Sequence, residues 1–421
     1  MSANVGSIVE NLFRQESGKL VSTLARAFGM DRIGVVEDIV QETLLTALQT
    51  WSFRSIPDDP TAWLYRVARN KALDHLRHER VAAAFAGIAA SESQTIANEM
   101  PDTMIDSEIA DSQLRMIFAC CNPALTSEAQ IALTLKTLCG FSVAEIASAF
   151  LSNEATIEKR LQRARKYFRE HHVKLEPPAG PALRERIASV LASLYLLFNE
   201  GYKRSHSDGL LQTDLCLEAL RLALLVSAQF GKDVPESYAL VALMSFLAAR
   251  FTTRTDAAGA IVLLSDQDRT QWNRELLERG LYFYALSEPA EHNSSYHIEA
   301  GIQAIHSSAE TFETTNWPAI LGLYRRLYQL NPSPIIALHM SVCVTQVLGA
   351  AEALRILEGL PLQHYYLYHA VLADTLFRAD RLSEAIESLR TASTLTTNER
   401  EAHLLNTKLL LWQSTQTPSP N

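Results

Sequence analysis

The sequence lacks the short motifs by which most enzyme active sites are recognised. It contains no GxSxG, HExxH, GxxxxGKS/T or GxGxxG segment, and its cysteines and histidines form no cluster with metal-ligand spacing. Asp266 and Asp268 lie close together in LLSDQDRTQW, but no further carboxylate or histidine cluster accompanies them, and Ser265 with Asp268 indicates a helix start instead. We therefore predict neither catalysis nor a bound cofactor or metal.

Long apolar runs and paired cysteines are also absent. No apolar stretch reaches the roughly 18 residues that span a bilayer, and the first residues lack the basic start and apolar core of a signal peptide. The cysteines form no CxxC pair and lie in apolar, helix-like surroundings, as expected for reduced thiols. They are Cys120, Cys121, Cys139, Cys216 and Cys343. These absences predict a cytoplasmic protein without a membrane partner.

What is present indicates a globular helical protein. Of 421 residues, 48% are apolar and 20% are charged, which is enough for two or three domains. Alanine, leucine, glutamate and arginine dominate, and apolar residues recur every three or four positions, so we predict an all-α fold. The net charge of -9 is uneven, because residues 176–421 hold 26 acidic against 19 basic residues. Residues 82–114 also contain six acidic residues and no lysine or arginine.

An early helix, VEDIVQETLLTALQTW, is predicted to have an acidic outer face. Its buried face would hold Val36, Val40, Leu44, Ala47, Leu48 and Trp51. Its outer face would hold Glu37, Asp38, Gln41 and Glu42, which are neighbours one turn apart.

The next helix, AWLYRVARNKALDHLRHER, begins at Asp59 or Thr61 and exposes a mixed polar face. That face consists of Arg66, Asn70, Asp74 and Arg77. The aromatic residues Trp51, Phe53, Trp63 and Tyr65 flank the turn before it, and aromatic rings beside cations and an amide suit an unstacked nucleic-acid base. The alternative is a plain helix surface with an Arg–Asp pair, with most of the aromatic rings in the core.

A capped helix pair follows and predicts a helix-turn-helix. Ser142 and Glu145 form a capping box for the first helix, and Ser152 or Asn153 caps the second. The second helix, in SNEATIEKRLQRARKYFRE, would bury Ile157, Leu161, Ala164 and Phe168. Its outward residues are Glu154, Thr156, Lys159, Gln162, Arg163 and Lys166. A basic run is often only a solvated surface, but its place on the second helix of a capped pair favours contact with DNA in a major groove.

The C-terminal half contains an internal repeat. EPPAG, at residues 176–180, marks a domain boundary, and LFNEGY indicates a helix end with Gly201 at the turn. The segments AILGL, ALRIL and AIESL then begin at Ala319, Ala353 and Ala385, 34 and 32 residues apart. This period predicts tetratricopeptide-like helical hairpins.

Together these segments resemble the bacterial RNA polymerase sigma factors of the extracytoplasmic-function (ECF) type. The two early helices resemble sigma region 2, and TLKTLCGFSVAEIASAFLSNEATIEKRLQRARK resembles sigma region 4. LLFNEGY, LLSDQDRTQW and the repeats are similar to the extension of the ECF subgroup with a tetratricopeptide-like domain. The resemblance implies five parts: region 2 in residues 1–81, an acidic flexible linker in 82–113, region 4 in 114–175, a helical extension domain in 181–290 and tetratricopeptide-like repeats in 291–415.

The resemblance also implies roles for individual residues. Such a protein binds core RNA polymerase and promoter DNA and directs promoter-specific initiation. Asp38, Gln41 and Glu42 match the residues that bind the clamp helices of the largest polymerase subunit, and region 4 would bind the flap of the second-largest subunit. Residues 52–60 match the loop that captures a flipped base of the downstream promoter element.

The remaining implied contacts are to DNA. Downstream, on the helix that lines this loop, they are Trp63, Arg66, Asn70 and Arg77. Upstream they are Thr156, Lys159, Arg160, Arg163 and Lys166. One departure is that Leu151 and Ser152 stand where many helix-turn-helix turns have glycine.

The extension, by the same resemblance, controls activity in place of a membrane anti-sigma partner. Its repeats would hold a peptide or protein ligand or fold back on the DNA-binding half. Because the extension is acidic, we hypothesise that it masks the basic helix until a signal arrives. The rival interpretation is a stand-alone helix-turn-helix regulator with a tetratricopeptide-like protein-binding scaffold. The acidic and aromatic helices of residues 36–80 argue against it, because an ordinary repressor does not need them.

Overall fold

A computed structural model describes residues 2–53, 56–85, 106–150, 152–177, 180–204, 209–287 and 294–416. Over these residues the chain is helical and forms no strand, apart from an isolated bridge between Thr255 and Ile261. The predicted all-α fold is therefore confirmed. The chain divides into two compact units, Met1–Glu200 and Gly201–Asn421. Among the described helices, none is long and apolar enough to cross a membrane.

The first unit is built from eight helices in the described residues. They are α1 (Ser2–Phe28), α2 (Ile33–Phe53), α3 (Pro60–Phe85), α4 (Asp106–Cys120), α5 (Ser127–Leu138), α6 (Val143–Ala149), α7 (Glu154–His171) and α8 (Pro181–Arg204). A short 3₁₀ turn, Met30–Arg32, joins α1 to α2. Residues 82–85 and 106–113, at the two ends of the predicted linker, are helical, and residues 86–105 lie outside the described residues.

Side-chain caps fix where several of these helices begin. Asp59 accepts a hydrogen bond from the backbone N–H of Ala62 (2.9 Å) at the start of α3. Both hydrogen bonds of the Ser142–Glu145 capping box are formed at α6. Asn153, and not Ser152, caps α7 by accepting from the N–H of Thr156 at 2.8 Å. Each cap satisfies a backbone donor that the helix itself leaves unpaired, which fixes the residue at which that helix begins.

Helix α8 runs further than the sequence predicts. It continues through Gly201 to Arg204, so the predicted helix end at Gly201 is wrong by one turn. The guanidinium of Arg186 donates to the carbonyl oxygen of Phe118, and Ser189 donates to that of Cys121 (3.2 Å). Ser193 donates to the side chain of Gln130 at 2.6 Å. The first part of α8 is thus bonded to α4, α5 and the turn between them.

The second unit is a row of helices that pack against their neighbours in sequence. Its described helices are α9 (Gly209–Phe230), α10 (Pro235–Ala248), α11 (Arg274–Ser287), α12 (Ser295–Ser308), α13 (Trp317–Leu330), α14 (Pro334–Val347), α15 (Ala350–Glu358), α16 (Tyr366–Arg378), α17 (Leu382–Leu395) and α18 (Glu399–Gln416). The three sequence repeats lie in α13, α15 and α17. The repeats of α15 and α17 bury their first, second and fifth residues, whereas that of α13 buries its second and third, Ile320 and Leu321. Each repeat is therefore the first helix of a helix pair, as the 32- to 34-residue period predicts.

The segment between α10 and α11 is mostly irregular and carries DQDR. Asp268 accepts from the N–H of Thr270 (3.0 Å) and begins a 3₁₀ turn at Arg269. The guanidinium of Arg269 donates to the carbonyl oxygens of His306 (2.7 Å) and Ala309 (2.8 Å), at the end of α12. Arg269 thereby satisfies carbonyl groups that the last turn of α12 leaves unpaired. Within the described residues no group of three metal-ligating side chains occurs.

Candidate nucleic-acid and partner-binding surfaces

Helix α2 presents an exposed acidic stripe, defined here as Asp38, Gln41 and Glu42. The opposite face of the helix is buried through residues such as Val36 and Leu44, so the stripe is fixed in direction by the core. Glu42 forms an ion pair with Lys71 of α3 at 3.3 Å, but 64% of its side chain stays exposed. The stripe is continued by the exposed Leu45. This surface combines carboxylates with an apolar residue, a combination that is compatible with contact to another protein.

Glu37 does not belong to the outer face, contrary to the sequence prediction. Only 6% of it is exposed. It accepts hydrogen bonds from Thr137 of α5 (Oγ1 to Oε1, 3.3 Å) and from the guanidinium of Arg165 of α7. Its carboxylate is therefore engaged within the unit. The predicted buried face is also wrong at Leu48, of which 37% is exposed.

Helix α3 carries the proposed downstream contacts on one exposed side. Arg66, Asn70 and Arg77 are all exposed. Arg66 and Arg77 are 11 positions apart, about 16 Å along the helix. Arg77 forms an ion pair with Asp74 at 2.8 Å, and most of both side chains remains in solvent. Such an exposed pair is weak, so Arg77 is available to a stronger anionic partner.

The aromatic residues before α3 divide into core and surface. Trp51 and Tyr65 are buried, whereas 92% of Phe53 is exposed. Trp63 is half-buried, and its ring packs on that of Trp51 with centroids 5.2 Å apart at 57°. The core therefore holds two of the four rings, whereas Phe53 is exposed and Trp63 is partly exposed. Residues 54–55 of the predicted base-capturing loop lie outside the described residues.

Helix α7 has the amphipathic pattern that its sequence predicts. Its buried residues are Ile157, Leu161, Ala164 and Phe168, each with at most 2% exposure. Lys159, Arg163 and Lys166 are exposed, and Thr156 and Arg160 are partly exposed. We call these five residues the cationic face of α7; the first and last are ten positions apart, or about 15 Å along the helix. A face of this length and charge matches the phosphate groups that border a DNA major groove.

Local contacts leave most of the cationic face available. Lys166 approaches Glu170 at 3.6 Å, and both side chains are largely exposed. The pKa of Glu128 is lowered mainly by its own backbone N–H, then by Thr126, and to a smaller extent by Arg160. Arg160 therefore lies near the start of α5. No pair in this group is buried, so solvent screening keeps each interaction weak.

Arg165 is the residue whose role the sequence did not reveal. It was one cation in a basic run, yet it points to Glu37 and not to the cationic face. The only sequence signal is its position one turn after Leu161 and three residues before Phe168, which places it at the edge of the buried face. A cation at such an edge is well placed to meet a neighbouring element.

Comparison with protein families matches three segments of the chain. Residues 13–81 match Sigma-70 region 2, and residues 115–168 match Sigma-70, region 4. Residues 186–288 match a family of unknown function, DUF6596. The acidic stripe and the proposed downstream contacts fall in the first match, and the cationic face falls in the second.

Individual relatives agree with these matches. An uncharacterized protein of Rhizobium meliloti (strain 1021) is 35% identical over 398 residues, covering 93% of this chain and 94% of that protein. The ECF RNA polymerase sigma factor SigL of Mycobacterium tuberculosis is 31% identical over 132 residues, covering 30% of this chain and 69% of SigL. SigC of the same species, also an ECF RNA polymerase sigma factor, is 28% identical over 135 residues, or 32% of this chain and 68% of SigC. No solved structure is detectably similar.

Proposed function

The chain belongs to the ECF type of RNA polymerase sigma factors, and from this premise we propose how its surfaces divide the work of transcription initiation. Sigma factors bind core RNA polymerase and promoter DNA. In this proposal the acidic stripe of α2 binds polymerase, α3 holds the downstream promoter element and α7 reads the upstream element. The observation that supports it best is that one unit exposes all three polar surfaces while the apolar faces of the same helices are buried.

The polymerase contact involves two surfaces. Asp38, Gln41 and Glu42 bind the clamp helices of the largest subunit, with Leu45 adding apolar contact at the edge. Region 4 binds the flap of the second-largest subunit. Charge-rich rims of this kind set the rate and specificity of association more than its strength.

The downstream contact is a base trap beside α3. Trp63 offers the exposed side of an aromatic ring, and Arg66, Asn70 and Arg77 offer cations and an amide along about 16 Å of helix. Unstacking one base costs a few kcal/mol, and stacking with hydrogen bonds to the base edge offsets that cost. Promoter opening would therefore be driven by capture of the base.

The upstream contact is made by the cationic face of α7. Lys159, Arg160 and Lys166 bind phosphate groups, and Thr156 and Arg163 reach towards base edges. Since α3 and α7 are carried by one chain, binding of one promoter element raises the effective concentration of the other contact.

The extension, residues 181–421, regulates this activity through a peptide or protein ligand. Support comes from a cavity of about 500 Å³ in the second unit, lined by Val342, Val371, Phe377, Arg378 and Trp412 among others. It combines apolar walls with charged groups, as small-ligand and side-chain pockets do. An intracellular signal would act by changing the occupancy of this cavity.

Transcription in vitro tests the initiation function. Purified protein and core polymerase are incubated with a library of genomic fragments, and the 5′ ends of the transcripts are sequenced. We expect initiation at a small set of sites that share two spaced elements, absent with core polymerase alone. A variant with Asp38, Gln41 and Glu42 all changed to alanine should fail to bind polymerase. Folded protein that gives no specific initiation would reject the proposal.

Removal of the second unit tests the regulatory proposal. The shortened chain should end after Arg204, because Arg186, Ser189 and Ser193 of α8 bond to the first unit. Masking of α7 by the extension predicts a rise in specific transcription. A fall would reject masking but retain control by the extension, whereas an unchanged level would reject control.

A further inference from the structure

The cavity of about 500 Å³ in the second unit joins segments that are far apart in the sequence. Part of its wall comes from the irregular segment between α10 and α11, through Leu263 and Ser265. Another part comes from Phe312, which precedes α13, and the remainder comes from α14, α16 and α18. The cavity is therefore not a groove between neighbouring repeats, because a segment that precedes all the repeats closes one side of it.

The irregular segment is held in shape by its own hydrogen bonds. The carboxylate of Asp256 accepts from the backbone N–H groups of Ala258 (2.9 Å) and Ala260 (2.8 Å), which closes a tight turn. Gly259 lies in this turn with φ +81°, and a Cβ atom added to it would be 3.6 Å from the guanidinium of Arg400 in α18. The turn therefore reaches α18, and this contact fixes the wall that the irregular segment contributes to the cavity.

Two aromatic rings form a flat apolar surface in the cavity. The rings of Phe377 in α16 and Trp412 in α18 are stacked, with centroids 4.5 Å apart and an angle of 7° between their planes. Trp412 is 5% exposed, whereas 41% of Phe377 is exposed. Phe377 is thus anchored by Trp412 and still offers ring surface to a ligand. An exposed ring beside apolar side chains favours an apolar or aromatic group.

The charged groups that line the cavity leave one cation without a carboxylate. Lys408 forms an ion pair with Asp374, so these two charges balance. Arg378 of α16 is exposed and donates only a long hydrogen bond, 3.4 Å, to the neutral amide oxygen of Gln346. Within the part of the chain that the structure describes, Arg378 forms no ion pair. The cavity is therefore cationic, although residues 176–421 hold 26 acidic against 19 basic residues.

We propose that this cavity binds a free carboxylate carried on an apolar or aromatic body, with Arg378 at the carboxylate and Leu263 and Phe377 against the body. This inference rests on the proposed regulation by the second unit, for which it names the ligand chemistry. A guanidinium matches a carboxylate through two parallel charge-assisted hydrogen bonds, which are stronger than a long bond to a neutral amide. A cavity of about 500 Å³ holds either a small organic acid or the C-terminal end of a peptide.

A ligand in this cavity would touch two parts of the second unit at once. Leu263 belongs to the irregular segment before the repeats, whereas Phe377 and Arg378 belong to α16. A ligand that binds both walls stabilises the arrangement in which they face each other. Occupancy of the cavity therefore sets how firmly the irregular segment is held against α16 and α18.

Paired probes test the requirement for a carboxylate. The full-length protein is titrated by calorimetry with hydrocinnamate and with N-acetyl-alanyl-phenylalanine, and separately with the neutral amide of each. The acids should bind about tenfold more tightly than their amides, because the amides lose a charge-assisted contact. Tighter binding of the peptide acid would identify a peptide end as the source, and tighter binding of hydrocinnamate a small acid. No preference for the acid in either pair, or no binding of either acid, would overturn the proposal.

Substitutions in the cavity separate the charged contact from the apolar one. Arg378→Gln should weaken binding of the acids about tenfold and leave binding of the amides unchanged, because only the charged contact is lost. Leu263→Ser should weaken acids and amides by similar factors, because it removes part of an apolar wall. Arg355→Gln is the matched control, at an exposed arginine of α15 that does not line the cavity. Unchanged binding of the acids by Arg378→Gln would overturn the proposal.

Hydrogen exchange locates the site independently of transcription. The acid that binds more tightly should slow exchange in residues 255–266, in α16 and in α18, and leave α3 and α7 unchanged. Protection confined to other segments would overturn the proposal. If the acids bind here but do not alter specific transcription in vitro, the regulatory role fails and the binding site stands. If removal of the second unit alters transcription although neither acid binds, the regulatory role stands and this ligand site fails.

Discussion

The contacts within the first unit and those within the second join residues at different separations along the sequence. In the first unit, Glu37 meets residues that lie 100 and 128 positions away, Thr137 and Arg165. In the second unit, side-chain contacts such as Lys408 to Asp374 and Tyr366 to Glu401 join residues 34 and 35 positions apart, about one repeat. A substitution at Glu37 or Arg165 therefore acts on elements distant in sequence, whereas most substitutions within the repeats act on adjacent helices. The segment between α10 and α11 is an exception in the second unit, because a Cβ atom added to Gly259 would lie 3.6 Å from the guanidinium of Arg400 in α18.

The difference has a functional meaning. Repeats stabilised by neighbours keep their form when one contact weakens, which suits a surface that holds a ligand. A unit whose parts meet through contacts between distant residues can adopt another arrangement when those contacts are exchanged, which suits binding to a large partner. The following predictions test this contrast.

The largest effect is expected from Phe168→Ala in α7. Phe168 is fully buried, and its truncation should lower the stability of region 4 by about 3–5 kcal/mol. Hydrogen exchange followed by mass spectrometry should show faster exchange in α5 to α7 and unchanged exchange in α13 to α18. The counterpart is Leu389→Ala in α17, at a residue that is 1% exposed. It should make exchange faster in α13 to α18 and leave exchange in α5 to α7 unchanged. Equal acceleration in both units for either variant would contradict separate stability.

Arg163→Ala should weaken promoter-specific transcription by about tenfold or more, equivalent to roughly 1–3 kcal/mol, because it removes a base or phosphate contact from the cationic face. Polymerase binding should not change, since Arg163 is exposed and lies away from Glu37. Run-off transcription and a polymerase-binding titration measure the two effects. Arg355→Ala, an exposed arginine of α15, is the control. Loss of polymerase binding would show that Arg163 has another role.

Acid should weaken the second unit through His306. Burial, and then Arg250 and Arg269, lower the pKa of His306 from 6.5 to about 3. The unfolded chain therefore binds a proton below pH 6.5 that the folded unit excludes, so stability falls as the pH drops. Between pH 7.5 and 5.5 the loss should be about 1.4 kcal/mol, measured by urea unfolding. His306→Gln should reduce this pH dependence; an unchanged dependence would refute the assignment to His306.

The smallest effect is expected at an exposed ion pair. Arg355 and Glu352 of α15 are 2.7 Å apart, with 75% and 44% of their side chains exposed. Arg355→Ala should change the stability of the second unit by less than about 0.5 kcal/mol in urea unfolding. This value is the baseline for the change in unfolding free energy caused by Arg165→Gln, which removes the partner of the buried Glu37 carboxylate. A similar small effect on unfolding for both would weaken the contrast between the units.

Local patterns in the sequence predicted most of the helices and the buried face of α7. Ile157, Leu161 and Phe168 recur at helical spacing, and the caps around them are formed as the residue types suggest. The repeats were also found, because a fixed period is visible without knowledge of the contacts. The caps and helical faces depend only on residues within one or two helical turns, and the repeats depend only on a period along the sequence.

The errors arose where distant residues decide. Glu37 was assigned to the solvent because its polar neighbours are exposed, and its partners are more than ninety positions away. Leu48 was assigned to the core by the same local rule, although it is partly exposed. A Cβ atom added to Gly18 would lie 1.9 Å from the carbonyl oxygen of Leu138. The only local sign of this close approach is a glycine within a helix, which costs up to about 1 kcal/mol relative to alanine. The roles of the stripe and of the cationic face remain predictions.

The Arg269 guanidinium has a consequence for the order in which the second unit folds. Arg269 donates hydrogen bonds to the carbonyl oxygens of His306 and Ala309, which follow it in the chain by about forty residues. The end of α12 is therefore completed only when it meets the earlier segment that carries Arg269, which closes a loop far longer than a helical turn. During synthesis Arg269 emerges before His306 and Ala309, so its hydrogen bonds form only after α12 has been made. We expect the repeats that follow to assemble onto an end already fixed by Arg269, so that folding proceeds from this junction towards the C-terminus.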